Sequence, residues 1–416
     1  MVEREKIAAG RDGHVRGRPR KTGGTVITQH VVDEPMDVTQ VTHLYHPSFG
    51  GIENYVARLN ASLSAAGHTS RTVTTDRSFA PGSTIEERPD VTYCETTFSV
   101  VRNPFSIELY RHLRADDSDV YHLHSPWFFP SLEAILALPD DAVVTMTVHG
   151  VHTPATSLLS RVLAAGYKPI AQYILNRVNR IFVLGPAERR RLTDRFDLAD
   201  EQIAVVPNGI DPDAYDIPEE RIVEFRDRYG IDPDVPTVLF VSRLVPGKQP
   251  EVLIEAVSDH LADETLQVLV VGKGEAGYVG SLVGRADDRV RFLSNLSFDE
   301  LKAAYHAADC FVALGTSEGL STVLLEAMNA RLPVITTPAG ANADVISGPE
   351  HGRVVDLHPE PAAVAAAIRE MLADPDERAA IGERNRDRVR TEYAWDRVYE
   401  SIEATYEELL AANEPR

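Results

Sequence analysis

Cysteine is almost missing from this chain, lysine is scarce, and no long apolar run occurs. Cys94 and Cys310 are the only cysteines in 416 residues, which excludes a disulfide framework and fits a reducing compartment. Apolar runs end after a few residues, so no segment reads as a bilayer span. No apolar stretch follows the N-terminal charges, as a secretory signal would require. The expected location is therefore cytoplasmic. Lysine supplies six of the 42 basic residues, against 63 acidic ones and a net charge of -21. That balance excludes general nucleic-acid binding, which needs a basic face. Strong acidity with little lysine suggests a protein built for high salt, where self-repulsion is screened; a GC-rich genome also favours arginine over lysine.

With 43% hydrophobic residues, the chain has the material for more than one core, and its length predicts two or three domains. Residues 1–36 are basic and aperiodic and are expected to be disordered, either a floppy tail or the product of a start codon placed upstream of Met36. From there strands and helices alternate: "DVTQVTHLY", "SRTVTTD", "DVYHLHS", "AVVTMTVHG", "RIFVLGP" and "QIAVVPNGID" read as strands. After a Pro- and Asp-rich passage near 212 the pattern restarts with "TVLFVSRL", "LQVLVVGKG", "RVRFLSN", "CFVAL", "PVITTP" and "GRVVDL". This predicts α/β architecture: two Rossmann-like, doubly wound parallel sheets over 37–212 and 213–392, facing each other across a cleft, then an amphipathic helix over 393–416.

Ligands in such folds sit at the carboxyl ends of the strands. In the first domain those ends carry Gly50-Gly51, His122-Leu123-His124 and His149-Gly150. The glycine pair between strand and helix lets backbone amides approach an anion, although a tight turn would also use it. His149 closes an apolar strand, where an ordinary structural histidine competes with a site residue. His122 and His124 share a face, but no third ligand stands at metal spacing, so no metal is expected.

In the second domain Arg243 and Lys248 lie five apart on the loop after its first strand, a clamp for a diphosphate or a solvated charged loop. Gly272, Gly274 and Gly277 form a G-x-G-x-x-G. It follows the second strand, and no acidic residue closes a later strand about 20 positions on, so it reads as a tight turn near a nucleotide rather than an NAD site.

The stretch "SEGLSTVLLEAMNARLPVITTP" is the most informative. Glu318 precedes a helix expected from about Leu320, and Glu326 sits inside that otherwise apolar helix. Carboxylates are rarely buried without a partner. The amides of Gly319, Leu320, Ser321 and Thr322 suit a phosphate or sugar oxygen, and both glutamates suit ligand hydroxyls. A core arginine is the alternative partner for Glu326.

The set "GGIENYVARL", "TVHG", "VVPNGID", "VLFVSRLVPGKQPEVLIEA", "VVGKGE" and "SEGLSTVLLEAM…LPVITTP" resembles glycosyltransferase family 4 over roughly residues 37–412. The resemblance implies the GT-B fold, with the last helix crossing back to the first domain. It implies a retaining, metal-independent enzyme that uses a nucleotide-sugar as co-substrate and no cofactor. Gly50 and Gly51 would approach the donor diphosphate, and His149 would stand at the reaction centre. Arg243 and Lys248 would neutralise the leaving diphosphate, while Glu318 would hold the donor sugar and Glu326 the ribose. Three positions depart from the family pattern: Arg331 in place of a glycine, Gly340-Ala341 with Asp344 in place of Gly-Gly with glutamate, and "LGTS" in place of Pro-Ser. All three bear on donor-sugar choice.

A nucleotide-sugar epimerase of the same fold and a catalytically silent nucleotide-sugar binder are the rival readings. The acceptor is a glycan, a lipid-linked sugar or a small molecule. The segment "TSLLSRVLAAGYKPIAQYILNRVNRIF", with Arg161, Lys168, Arg177 and Arg180, could lie on acidic lipid at the inner face of the membrane, weakly and reversibly. A helix pair with snorkelling arginines explains the same pattern.

Overall fold

The computed structural model describes residues 34–47, 50–77, 85, 88–100, 103–151 and 158–413, with side chains from 165 onward in the last range. The basic N-terminal tail therefore lies outside the described residues up to position 33.

The strands are β1 (Asp37–Val41), β2 (Thr69–Thr75), β3 (Val91–Cys94), β4 (Phe98–Val100), β5 (Asn103–Phe105), β6 (Val120–His124), β7 (Val143–Val148), β8 (Arg180–Val183) and β9 (Ile203–Val205) in the first half. The second half carries β10 (Thr237–Val241), β11 (Gln267–Val271), β12 (Val290–Leu293), β13 (Cys310–Ala313), β14 (Val334–Thr336) and β15 (Gly352–Val354). Seven strands form one parallel sheet in the order β3-β2-β1-β6-β7-β8-β9, and six form another in the order β12-β11-β10-β13-β14-β15. β7, β10 and β11 are buried along their whole length. Helices cover both faces of such sheets, which is why these strands are almost continuously apolar. The antiparallel pair β4–β5 and the edge strand β3 have no counterpart in the sequence reading. Their segments are three or four residues long, too short for a periodicity.

Both sheets reverse strand order at one place, between β1 and β6 in the first and between β10 and β13 in the second. A crevice opens at such a switch point because neighbouring connections leave in opposite directions. The loops after these four strands carry Gly50-Gly51, Ser125, Arg243 to Lys248 and Glu318. Topology thus delivers residues 200 positions or more apart in sequence to one place.

The helix Gly51–Ala66 ends as expected on Gly67, in the left-handed conformation at φ 99°. The last helix, Trp395–Asn413, buries Trp395, Val398, Ile402 and Tyr406 along one stripe. That stripe packs on Met36, Val38, Tyr55 and Leu59 of the first domain, so the helix crosses back as expected. Each such side chain contributes about 1.5–3 kcal/mol by burial. The connection between domains and this return crossing run side by side, with the Ile210 amide donating to Tyr393 O at 3.0 Å and the Trp395 amide to Ile210 O at 2.7 Å.

The glutamate helix spans Thr322–Asn329, with Ser321 extended ahead of it. It begins two residues later than expected. Just beyond it, Arg331 is left-handed at φ 64°, the conformation for which a glycine is the unstrained choice.

Candidate active site

A cleft of about 310 Å³ opens between the domains, and Gly51, His149, Glu318, Gly319 and Leu320 all line it. Trp127, Phe128 and Asn208 also stand in its first-domain wall. The walls are joined tightly. A Cβ on Gly319 would lie 2.3 Å from His149 O, and one on Gly340, at φ 57°, would lie 1.9 Å from Gly319 O. Only glycine lets the backbones approach this closely. Asn208 Nδ2 donates to Leu320 O at 2.8 Å, tying the first domain to the glutamate loop.

On the second-domain wall the Lys248 ammonium donates to Glu318 Oε1 as an ion pair. Their side chains are 19% and 15% exposed, so each is largely enclosed, and Glu318 lines the cleft. The two expected ligand groups thus satisfy each other here. Of the expected anion-binding amides, that of Ser321 is engaged by Asn342 Oδ1 at 3.2 Å.

Glu326 is buried and does not line the cleft; tyrosines, rather than the core arginine weighed as its alternative partner, hold its carboxylate. Tyr305 donates its hydroxyl to Glu326 Oε2 at 2.7 Å, and Tyr215, in the interdomain connection, lies against the same carboxylate. Burial raises its carboxyl above the ordinary range, while hydrogen bonds from the two phenols and the more distant Arg58 charge pull it back. Both tyrosines were missed, because nothing in sequence marks a partner 21 or 111 positions away.

On the first-domain side Gly50 and Gly51 do stand at a helix start, but the terminus is filled. Glu53 is buried and folds back, so that a Cβ on Gly50 would meet its Oε2 at 2.4 Å. Burial raises the Glu53 carboxyl, opposed by its own backbone amide and by the Arg243 guanidinium of the other domain. Arg243 itself is exposed. Glu53 could have been noticed as an acidic residue in the first turn of a helix. His149 is neutral, its imidazole held down to about 3 by burial. Its Nε2 meets His124 Nδ1 at 3.0 Å, and Tyr55 packs edge-on at 5.0 Å.

Gly272 and Gly274 stand apart, beside a second hollow of about 560 Å³ lined also by Lys273 and Ser294. Their role in the fold is backbone proximity. A Cβ would meet Ser242 O at 1.9 Å and Leu244 O at 2.1 Å respectively, where Leu244 N donates to Lys273 O at 2.7 Å.

The basic segment expected to face lipid is partly engaged elsewhere. Arg177 pairs with Asp140 at 2.7 Å and Arg180 with Glu408 at 3.1 Å, which leaves Lys168 exposed. The side chain of Arg161 lies outside the described ones. No helix among the described residues is long and apolar enough to cross a membrane.

The comparisons agree with this geometry. Residues 49–214 match the model of Glycosyltransferase Family 4, and 222–388 that of Glycosyl transferases group 1. The chain belongs to glycosyltransferase family 4. A D-inositol 3-phosphate glycosyltransferase of Corynebacterium glutamicum is 30% identical over 58% of this chain and 60% of its own length. The chain thus spans about 60% of that relative. A GDP-mannose-dependent alpha-(1-6)-phosphatidylinositol monomannoside mannosyltransferase of Mycobacterium tuberculosis is 27% identical over 86% of this chain and 95% of its own. Among solved structures, a glycosyltransferase from Rickettsia africae superposes with a TM-score of 0.73 at 19% identity, covering 90% of this chain and 99% of that one. Anabaena HepE in complex with UDP superposes with a TM-score of 0.73 at 18% identity, covering 90% and 100%. The fold is therefore GT-B, as the family resemblance implied.

Proposed function

We propose that this family 4 member is a metal-independent, retaining glycosyltransferase that moves a sugar from a nucleoside diphosphate donor to a hydroxyl of a glycan, lipid-linked or small-molecule acceptor. One observation carries the reading: Glu318, with Lys248 bound to it, faces neutral His149 across a single interdomain cleft. A nucleoside diphosphate donor is supported by the name of the mannosyltransferase relative and by the UDP in the structural neighbour.

In this mechanism the bond from the anomeric carbon to the leaving phosphate oxygen breaks. The acceptor oxygen bonds to the same face, and its proton passes to the departing diphosphate. Charge accumulates on that diphosphate, so cations placed there lower the barrier most. Lys248 turns from Glu318 to the phosphate, and Arg243 approaches from the same loop. Glu318, released, accepts hydrogen bonds from sugar hydroxyls. The hollow beside Gly272 and Gly274 takes the base, and Glu326 reaches the ribose once its tyrosines yield.

The test is thermal stability with chelator present against UDP, GDP, ADP, TDP and NAD. A ligand at about 100 times its dissociation constant stabilises by roughly 2.7 kcal/mol. A shift with one nucleoside diphosphate, lost in Arg243→Ala, is expected, followed by NMR of the product to read the anomeric configuration. A shift with NAD alone overturns the reading. Donor isomerised without acceptor means an epimerase, and donor bound without turnover means a silent binder. Flotation on acidic liposomes at low salt tests the weak membrane association.

A further inference from the structure

The two histidines that matched no metal pattern do have a place in the fold. His122, His124 and Gln40 are fully buried under the cleft floor. His124 uses both ring nitrogens: Nδ1 meets His149 Nε2 at 3.0 Å and Nε2 meets Gln40 Oε1 at 2.9 Å. His122 does the same, with Nδ1 at 2.5 Å from the Tyr406 hydroxyl and Nε2 at 2.8 Å from Thr147 Oγ1. The other atom of the Gln40 amide, Nε2, is buried without a hydrogen bond of its own and lies toward Tyr406. Hydrogen bonds therefore join Gln40 through His124 to His149 in the cleft, and the free Gln40 amide nitrogen extends that line toward Tyr406 on the C-terminal helix.

A hydrogen bond between two neutral imidazoles needs one N–H and one lone pair, so the line has a direction. Burial keeps all three histidines uncharged. A phenol O–H is a better donor than an imidazole N–H, so Tyr406 donates to His122 Nδ1, and His122 Nε2–H donates to Thr147. The Tyr406 oxygen then has only lone pairs to offer, which turns the Gln40 NH2 toward it and the Gln40 carbonyl toward His124. His124 must donate from Nε2 and accept at Nδ1. His149 must donate from Nε2, and its Nδ1, the nitrogen left to the cleft, carries a lone pair.

We propose that Tyr406, acting through Gln40 and His124, holds His149 in the tautomer whose unprotonated Nδ1 faces the cleft, so that His149 accepts a hydrogen bond from a substrate hydroxyl. Tyr406, Gln40 and His124 are positioning residues: they touch no substrate and decide what His149 can bind. Polar donors are selected at that point and bare phosphate oxygens are disfavoured, because neither they nor the lone pair has a proton to share. The same line makes the return of the C-terminal helix part of the site's chemistry as well as of its stability. That the bound hydroxyl belongs to a sugar or its acceptor rests on the glycosyltransferase reading; the tautomer itself does not.

The test is nitrogen NMR of the full chain labelled with 15N-histidine, without ligand, with the His149 signals assigned by their loss in His149→Asn. Nδ1 is expected at the shift of an unprotonated ring nitrogen and Nε2 at that of a protonated one. Tyr406→Phe and Gln40→Met, each close in shape to the native residue, are expected to move His149 toward a mixture of tautomers, and kcat for sugar transfer to fall at least about tenfold. A protonated Nδ1 in the native chain overturns the proposal, and so does a His149 tautomer unchanged in both variants. Should the chain transfer no sugar, the nitrogen shifts still decide the tautomer.

Discussion

Lys248 and Glu318 neutralise each other across the second-domain switch point, each from a different strand end and each the residue expected to hold a different part of the donor. Under the proposed mechanism, donor binding separates them. A partly enclosed pair of this kind contributes little net stability, because desolvation offsets most of the attraction. It sets a threshold for binding.

Glu318→Gln removes the competing carboxylate charge and leaves Lys248 to the phosphate. Affinity for the free nucleoside diphosphate is expected to rise severalfold, equivalent to about 1 kcal/mol, while sugar transfer falls. Calorimetric titration with the diphosphate identified in the thermal screen reads the first, and turnover the second. Weaker diphosphate binding in Glu318→Gln would mean that the carboxylate organises the phosphate site itself.

Asp344 links the domains at the far side of the cleft. Its Oδ2 accepts from the Ala187 amide at 2.9 Å, at the start of the first-domain helix Pro186–Arg195. Arg191 of that helix donates back to Gly340 O at 2.7 Å. A carboxylate on an open helix start is worth about 1 kcal/mol. Asp344→Ala should lower Tm by a few degrees and, in small-angle scattering, enlarge the radius of gyration as the cleft opens. An unchanged scattering curve would show that the contact follows closure without maintaining it.

Arg331 sits left-handed at φ 64°, and its guanidinium meets Glu383 at 2.6 Å with both side chains well exposed. Such a pair contributes a few tenths of a kcal/mol, less than the roughly 1 kcal/mol that the backbone conformation costs an arginine. Arg331→Gly is therefore expected to stabilise the chain by about 0.5 kcal/mol in urea denaturation. A loss of stability would assign the residue a role that its backbone strain does not reveal.

The neutral histidines give a pH signature. His149 and His122 are held down to about 3, and His124 well below its ordinary value, each chiefly by burial. The unfolded chain binds more protons than the folded one between about pH 6.5 and 3, so stability is intact above 6.5 and declines as pH falls through that window. Each histidine contributes a slope of up to about 1.4 kcal/mol per pH unit. Glu133 acts in the opposite sense: burial lifts its carboxyl to about 7, so its contribution is present below about 4.5 and is lost as pH rises toward 7. Comparing the native chain with His149→Asn isolates one proton. The variant's stability should fall less steeply between pH 6.5 and 5, and equal slopes would mean that His149 is charged when folded.

The sequence by itself determined the two alternating halves, the placement of strand ends, and the spacing of Glu318 and Glu326. These follow from local rules: apolar runs make buried parallel strands, glycines permit turns, and eight positions carry a helix through two turns. What no local rule contains is the partner of each polar group. Lys248 finds Glu318, Glu326 finds Tyr305, Glu53 fills the anion site of its own helix, and His149 leans on a histidine from the neighbouring strand and, through it, on a helix about 250 residues later. Only the tertiary structure decided these pairings, because the cost of burying a polar group is met by whatever donor or acceptor packing brings within about 3 Å, and packing depends on the whole chain at once.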